Sequence, residues 1–130
     1  MIRFIDHYFT ATDARGCITG LVNFGEWREI NLIRSDAGVT RGNHYHKTTE
    51  EGFIIIEGCI DVVVQSVREG TTVGDKQMMR VKADQVFIIE AMVCHEFIVY
   101  QPSVWINFLS RAMEPGNPDI HRLDASFLRD

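Results

Sequence analysis

The amino-acid sequence predicts an all-β fold, either a barrel or a sandwich of short strands. Runs rich in Val, Ile, Phe and Tyr recur along the chain, and turn-forming residues separate them about every 8–12 positions. No interior stretch keeps the periodicity of an amphipathic helix. The predicted strands are Arg3–Phe9, Cys17–Phe24, Trp27–Arg34, Phe53–Glu57, Ile60–Val67, Gln77–Val81, Val86–Ile89, Glu96–Tyr100 and Val104–Ser110.

Two segments between or after these strands have their own predictions. Arg68–Lys76 is rich in turn-forming residues and is expected to separate two strands as a loop. The tail after Pro118 contains Ile120–Leu128, the only segment that we interpret either as a short helix or as an extension docked on the barrel.

Length and composition predict one domain that binds neither nucleic acid nor membranes. A chain of 130 residues fits the usual size of a single domain. The net charge of −5 and the scattered Lys and Arg residues argue against a nucleic-acid partner, which would require a basic surface. The three widely spaced cysteines form no disulfide framework, and neither a signal peptide nor an apolar membrane span is recognisable. We therefore expect a cytoplasmic protein.

The most informative segment contains two histidines and a glutamate between glycines. Because residues two apart in a strand point the same way, His44 and His46 are expected to project from one face. Two imidazoles and the carboxylate of Glu51 form a ligand set that suits a divalent first-row metal. An isolated His-x-His pair is more often structural, but Glu51 and the later His95, a candidate fourth ligand, favour the metal site.

The spacing Gly38-x5-His44-x-His46-x4-Glu51-x6-Gly58 resembles the first motif of the cupin superfamily at every fixed position. Of the second cupin motif only His95 is retained. The resemblance implies a cupin double-stranded β-helix, a jelly-roll barrel, with zinc, iron, nickel or manganese held by His44, His46, Glu51 and His95. It also implies a single cupin domain over residues 1–130, with a core at about 27–110, N-terminal strands in 1–25 and a C-terminal extension in 111–130.

Two groups of cupins share finer features with this chain. Arg41–His46 and Asn117–Asp119 are similar to the C-terminal cupin domain of capsular polysaccharide synthesis enzymes that act on UDP-linked keto sugars. Arg41–Lys47 and His95–Phe97 also resemble the dTDP-4-keto-6-deoxyglucose ketoisomerases. Those ketoisomerases typically lack the glutamate of the motif and use histidines as acid and base without a metal. The presence of Glu51 favours a metal-bearing relative.

These resemblances imply an enzyme of polysaccharide or deoxysugar biosynthesis that acts on a nucleotide-linked 4-keto-6-deoxy sugar. Removal of the proton next to the ketone would give an enediolate, and its return would epimerise the carbon or move the ketone. His46 and His95 are the expected catalytic residues. Arg41, Lys47, Tyr100 and Asn107 are the expected substrate-binding residues, although packing is an alternative role for Tyr100 and Asn107.

Other functions of a cupin remain open from the sequence alone. A metal-dependent oxygenase acting on a small molecule would use the same ligands, and a non-catalytic sugar-binding or metabolite-binding cupin would fit the degenerate second motif. Small cupins usually pair, so the resemblance also implies a homodimer, in which Arg3–Phe9 is a candidate for exchange between the two copies.

Overall fold

The computed structural model describes residues 1–123 and contains two antiparallel sheets that pack face to face. The larger sheet has the order β1-β9-β6-β11-β4, the smaller sheet has the order β5-β10-β7-β8, and β2 and β3 form a separate hairpin. The strands are β1 (Ile2–Ile5), β2 (Phe9–Asp13), β3 (Gly16–Gly20), β4 (Glu29–Ser35), β5 (Thr40–His44), β6 (Glu51–Glu57), β7 (Ile60–Arg68), β8 (Thr71–Val81), β9 (Val86–Ile89), β10 (Val93–Val99) and β11 (Ser103–Leu109).

The main core lies between the two sheets because alternate residues of the central strands point inward. Phe53 and Trp105 come from the five-stranded sheet, and Val62 and Phe97 come from the four-stranded sheet. A second apolar layer covers the outer face of the five-stranded sheet, where Trp27 packs edge-on against the ring of Phe108. The prediction of an all-β jelly-roll barrel is confirmed.

Several predicted element boundaries differ from the structure. Arg3–Phe9 is not one strand: Ile2–Ile5 pairs with β9, and Phe9 begins the β2–β3 hairpin. Cys17–Phe24 keeps strand structure only to Gly20. The segment from Leu21 loses its pairing, and Leu21 and Val22 pack instead on the outer face of the large sheet.

The predicted loop at Arg68–Lys76 is largely strand. The chain reverses at Glu69 and Gly70, whose φ angles of 52° and 78° are those of a tight hairpin turn. Strand β8 then begins at Thr71 and continues to Val81, with an irregularity in its pairing to β7 between Val64 and Ser66. Turn-forming residues beyond Gly70 therefore accommodate this irregularity instead of ending the strand.

The tail was expected to form a short helix or a docked extension at Ile120–Leu128. In its described part, His121 pairs with Tyr45 as an isolated antiparallel bridge, and residues 124–130 lie outside the described part of the chain. Within residues 1–123, the structure contains no helix with the length and apolar character that a membrane crossing requires.

Candidate active site and metal centre

Two facing sheets bring His44, His46, Glu51 and His95 together. His44 and His95 are direct cross-strand partners on β5 and β10, so their side chains project side by side. Glu51 is the first residue of β6 in the opposite sheet, and His46 follows the end of β5. The site therefore lies between the two layers of the barrel.

The Glu51 carboxylate is the centre of this group. Its Oε1 lies 3.1 Å from His46 Nε2 and 3.2 Å from His95 Nε2, and its Oε2 accepts a 2.6 Å hydrogen bond from Asn107 Nδ2. Burial alone would raise the pKa of Glu51, but the hydrogen bond from His46 and the close approach of the His46 and His95 rings outweigh this effect and hold the pKa well below its usual value. The ionised carboxylate therefore contributes stability at neutral pH, which is lost as the pH falls through the folded-state pKa.

Backbone carbonyls fix the orientation of two imidazoles. His46 Nδ1 lies 2.6 Å from the Asp119 carbonyl oxygen, and His95 Nδ1 lies 3.1 Å from the Val93 carbonyl oxygen. A carbonyl oxygen can only accept, so each Nδ1 carries the hydrogen and donates it. In the neutral rings, both Nε2 lone pairs then point towards the same acceptor, Glu51 Oε1, and a positive charge is needed between them.

That positive charge can be a proton on His46. Burial lowers the pKa of His46, but its hydrogen bond to Glu51, the charge of Glu51 and the bond to the Asp119 carbonyl together raise the pKa above the ordinary value. His46 therefore favours the imidazolium form, in which Nε2–H donates to the carboxylate.

The charge can also be a divalent metal, because the four residues fit one. Their ligand atoms lie within 4.8 Å of one another. These are three imidazoles and one carboxylate, a donor set that would hold a divalent first-row ion. His95 Nε2 is buried and has no hydrogen-bond partner among the described residues, although Glu51 Oε1 lies 3.2 Å away. Its lone pair is therefore available to a metal.

His44 differs from the other two histidines. Burial and the neighbouring His95 lower the pKa of His44 to about 3. The ring is therefore neutral at physiological pH and is suited to metal coordination more than to giving up a proton. Its buried Nδ1 has no hydrogen-bond partner within residues 1–123.

A cavity of about 180 Å³ adjoins the site. Three of the four residues line it, together with apolar and aromatic side chains. The indole Nε1 of Trp105 and the Oδ1 of Asn107, both from lining residues, are buried without a hydrogen-bond partner in the described part of the chain. The lining residues are Ile33, Arg41, Gly42, His44, Glu51, Phe53, His95, Phe97, Trp105 and Asn107.

Two of the predicted substrate-binding residues lie at this cavity. The Arg41 guanidinium is held by bonds from Nε to Ser35 Oγ (2.7 Å) and from Nη2 to the Arg34 carbonyl (3.0 Å). Asn107 also lines the cavity, and its bond to Glu51 gives it a role in orienting the carboxylate.

The other two predicted substrate-binding residues lie elsewhere. Lys47 lines a separate cavity of about 260 Å³, because the chain turns away after His46. Tyr100 follows the end of β10, and its hydroxyl donates to Asp61 Oδ2 at 2.9 Å beneath the guanidinium of Arg80. Tyr100 does not line the histidine cavity, because the β10 strand ends before it, and its role as a substrate ligand stays a prediction.

Strand alternation turns the neighbours of the histidines outward. Tyr45 and Cys94 pack together in a cluster with Val63, separate from the main core. Burial and the nearby Glu96 raise the pKa of the Cys94 thiol to about 11, so it carries no thiolate for a metal at neutral pH.

Asp119 belongs to the site although no pattern in the sequence predicts this role. Its carboxylate accepts bonds from residues 47–49, and its carbonyl accepts from His46. An aspartate directly after a proline is a recognised signal for local backbone bonding, but it does not reveal a partner about seventy positions away.

Comparisons with known proteins agree with this architecture. The family model described as the polysaccharide biosynthesis C-terminal domain matches residues 11–107. A search of curated protein sequences gives no match. Among solved structures, the capsular polysaccharide assembling protein CapF from Staphylococcus aureus is similar, with a TM-score of 0.68 and 21% identity over 90% of this chain. The chain spans 34% of that protein.

Two smaller proteins have the same fold over most of their length. A 3,4-ketoisomerase from Helicobacter canadensis has a TM-score of 0.76 and 17% identity, covering 93% of this chain and 90% of its own. The dTDP-4-dehydrorhamnose 3,5-epimerase from Sulfolobus tokodaii has a TM-score of 0.72 and 19% identity, covering 89% of this chain and 79% of its own. At these identities the similarity establishes the fold.

Replacing Glu51 by Gln is expected to lower the pKa of His46, because the amide keeps the side-chain shape and removes the charge that stabilises the imidazolium. A proton NMR titration of the histidine rings in chelator-treated protein measures this pKa. Glu50→Gln is the matched control, since Glu50 lies 3.8 Å from Arg3 at the surface and should leave His46 unchanged. An unaltered His46 pKa in Glu51→Gln would contradict the pairing.

Proposed function

The chain belongs to the polysaccharide biosynthesis C-terminal domain family, and we propose that it is an enzyme that epimerises or isomerises a nucleotide-linked 4-keto-6-deoxy sugar. The observation that carries the proposal is the buried contact of Glu51 Oε1 with His46 Nε2 and His95 Nε2 beside a cavity. Epimerisation next to a ketone and keto-isomerisation share one demanding step, the removal of a proton from the carbon beside the carbonyl. Similar folds named as an epimerase and a ketoisomerase support this reaction class.

The cavity supports a polar ligand of limited size. Its volume of about 180 Å³ is below the roughly 300 Å³ at which pockets for drug-sized ligands begin, so one sugar ring is the appropriate occupant and the nucleotide lies outside. The unpaired Trp105 Nε1 and Asn107 Oδ1 favour a ligand rich in hydroxyl groups. Arg41, whose guanidinium is held by Ser35 and Arg34, is proposed to bind the diphosphate.

The four residues support proton transfer in two ways. Without a metal, His95 Nε2 accepts the proton of the substrate, because its own hydrogen is on Nδ1. His46, whose pKa Glu51 raises, returns a proton from Nε2. With a divalent metal held by His44, His46, Glu51 and His95, the ion supplies a Lewis acid that polarises the ketone. Glu51 is proposed to make the metal-bearing form the resting state.

Metal analysis of the purified protein tests the metal centre. We expect about one divalent ion per chain, and His44→Ala is expected to lose most of it because a neutral ligand is removed. His7→Ala is the control, since His7 is exposed and bonds the Asp84 carbonyl outside the site. A wild-type protein that remains metal-free after incubation with zinc, iron, nickel and manganese would exclude the metal centre and leave the metal-free proton transfer.

Solvent exchange tests the reaction itself. Incubation with UDP- and dTDP-linked 4-keto-6-deoxy sugars in deuterated water is expected to place deuterium on a carbon beside the ketone, as read by mass spectrometry. His95→Asn should slow this exchange by about 10²–10⁴-fold, the usual contribution of an acid or base, while His7→Asn should not. No exchange with any sugar contradicts the proposal. Tight binding without exchange would indicate a binding protein, and oxygen uptake with iron would indicate an oxygenase.

We also propose that two copies of the chain form a homodimer. Strand β4 is an edge of the five-stranded sheet, and its Ile30 and Leu32 are 69% and 52% exposed. An edge strand that carries exposed aliphatic side chains is a ready surface for pairing with an identical strand about a two-fold axis. Strand β1, in contrast, pairs with β9 of the same chain.

Light scattering coupled to gel filtration measures the molar mass. The wild type is expected to have the mass of a dimer, and Leu32→Lys is expected to give monomers because it places a charge on the apolar edge. Met78→Lys is the matched control, since Met78 is equally exposed on β8, the edge of the other sheet. A monomeric wild type, or a dimer that survives Leu32→Lys, would argue against this interface.

A further inference from the structure

The segment around Asp119 forms an unusually dense set of bonds with the loop that follows β5. One oxygen of its carboxylate accepts from the Lys47 amide at 2.8 Å and lies 2.9 Å from His121 Nε2. The other accepts from the amides of Thr48 and Thr49 at 2.9 and 3.0 Å and from their hydroxyls at 3.0 and 2.8 Å. A single carboxylate thus fixes the three residues directly after His46.

The residues after Asp119 form hydrogen bonds with the chain on the other side of His46. The backbone of His121 exchanges two hydrogen bonds of 2.9 Å with Tyr45, and the Arg122 guanidinium donates to the carbonyls of Gly42 and Asn43 at 3.0 and 3.2 Å. His46 therefore lies in a loop that is tied to the 119–122 segment on both sides.

These bonds also set the position of one particular oxygen, the backbone carbonyl of Asp119. It lies 2.6 Å from His46 Nδ1, closer than the 3.1 Å between His46 Nε2 and Glu51 Oε1. Since the oxygen can only accept, it takes a hydrogen bond from Nδ1–H, and Nε2 then faces Glu51 either as the second N–H of the imidazolium or as the atom available to a metal.

We propose that Asp119 is the positioning residue of the site, because its carboxylate clamps residues 47–49 and thereby holds its own carbonyl against His46 Nδ1. The clamp keeps a hydrogen on His46 Nδ1 and presents Nε2 as the atom that binds the metal or carries the proton. The importance of Nε2 rests on the proposed function, but the orientation of the ring does not.

A purely structural role and a positioning role for Asp119 predict different results when the carboxylate is lost. If the carboxylate only stabilised the loop, its loss would lower the melting temperature and leave the bond from His46 Nδ1–H to the carbonyl intact. If it positions the carbonyl, its loss releases the ring. Proton and nitrogen-15 NMR of the histidine side chains detects the hydrogen-bonded Nδ1–H of His46, and it is measured on chelator-treated full-length protein in which the His46 ring is the imidazolium.

Asp119→Asn is the informative variant, because the amide keeps the size of the side chain but turns an NH₂ group towards amide and hydroxyl donors. We expect the wild type to show a hydrogen-bonded Nδ1–H signal of His46 and the variant to lose much of this signal by exchange with water. Its affinity for zinc should fall about 10–100-fold, as for other groups that orient a ligand. Thr49→Val, which removes a single hydroxyl donor, is expected to give a smaller change in the same direction in a protein that keeps the rest of the clamp.

Asp61→Asn is the matched control, since Asp61 is a buried carboxylate that pairs with Arg80 away from the site. It should lower the melting temperature without changing the His46 signals. A wild type without a hydrogen-bonded Nδ1–H signal for His46 overturns the proposal, and so does an unchanged signal in folded Asp119→Asn. If that variant does not fold, an unchanged signal and zinc affinity in Thr49→Val overturn it. Neither result depends on turnover, so failure of the sugar reaction is recognised separately.

Discussion

The arrangement of the site depends on one buried charge, the carboxylate of Glu51. A carboxylate removed from water is costly unless neighbouring donors or cations compensate for it. Asn107 donates to one of its oxygens, and His46 and His95 approach the other. The two imidazoles stabilise this carboxylate only when a proton or a metal ion supplies positive charge beside it. The stability of the barrel interior and the chemistry of the site therefore depend on the same interaction.

Strands β5 and β10 approach each other closely next to the His44–His95 pair. The His44–His95 pair is followed by an irregular register at Glu96, and Gly42 lies opposite this irregularity. Gly42 has a φ of 93°, and a Cβ at this position would lie 2.8 Å from the His95 carbonyl oxygen. Glycine is therefore required both by the backbone conformation and by the close approach of the two strands. Gly42, which lies within the Arg41–Lys47 segment, thus has a direct packing reason.

The sequence allowed the all-β fold and the meeting of His44, His46 and Glu51 to be predicted because strand alternation and motif spacing are local properties. His95 could be added because a single histidine of the second motif was retained. The positions of Lys47 and Tyr100 outside the histidine cavity could not be predicted, because each follows the end of a strand and alternation no longer determines direction there. The contacts of Asp119 could not be predicted, because its partners lie about seventy positions away. They include the backbone amides of residues 47–49, which leave no side-chain pattern in the sequence.

The choice between a proton and a metal at this site requires no rearrangement of the chain. The carbonyls of Asp119 and Val93 hold hydrogen on the Nδ1 atoms of His46 and His95, so both Nε2 atoms face Glu51 in either case. His44 stays neutral, because burial lowers its pKa to about 3, and it can therefore bind an ion but cannot replace His46 as the proton carrier. A proton on His46 and the proposed divalent ion would thus be alternative ways of neutralising one carboxylate. Metal affinity and pH, more than any change of fold, would decide between them, because protons and metal would compete for the same Nε2 atom.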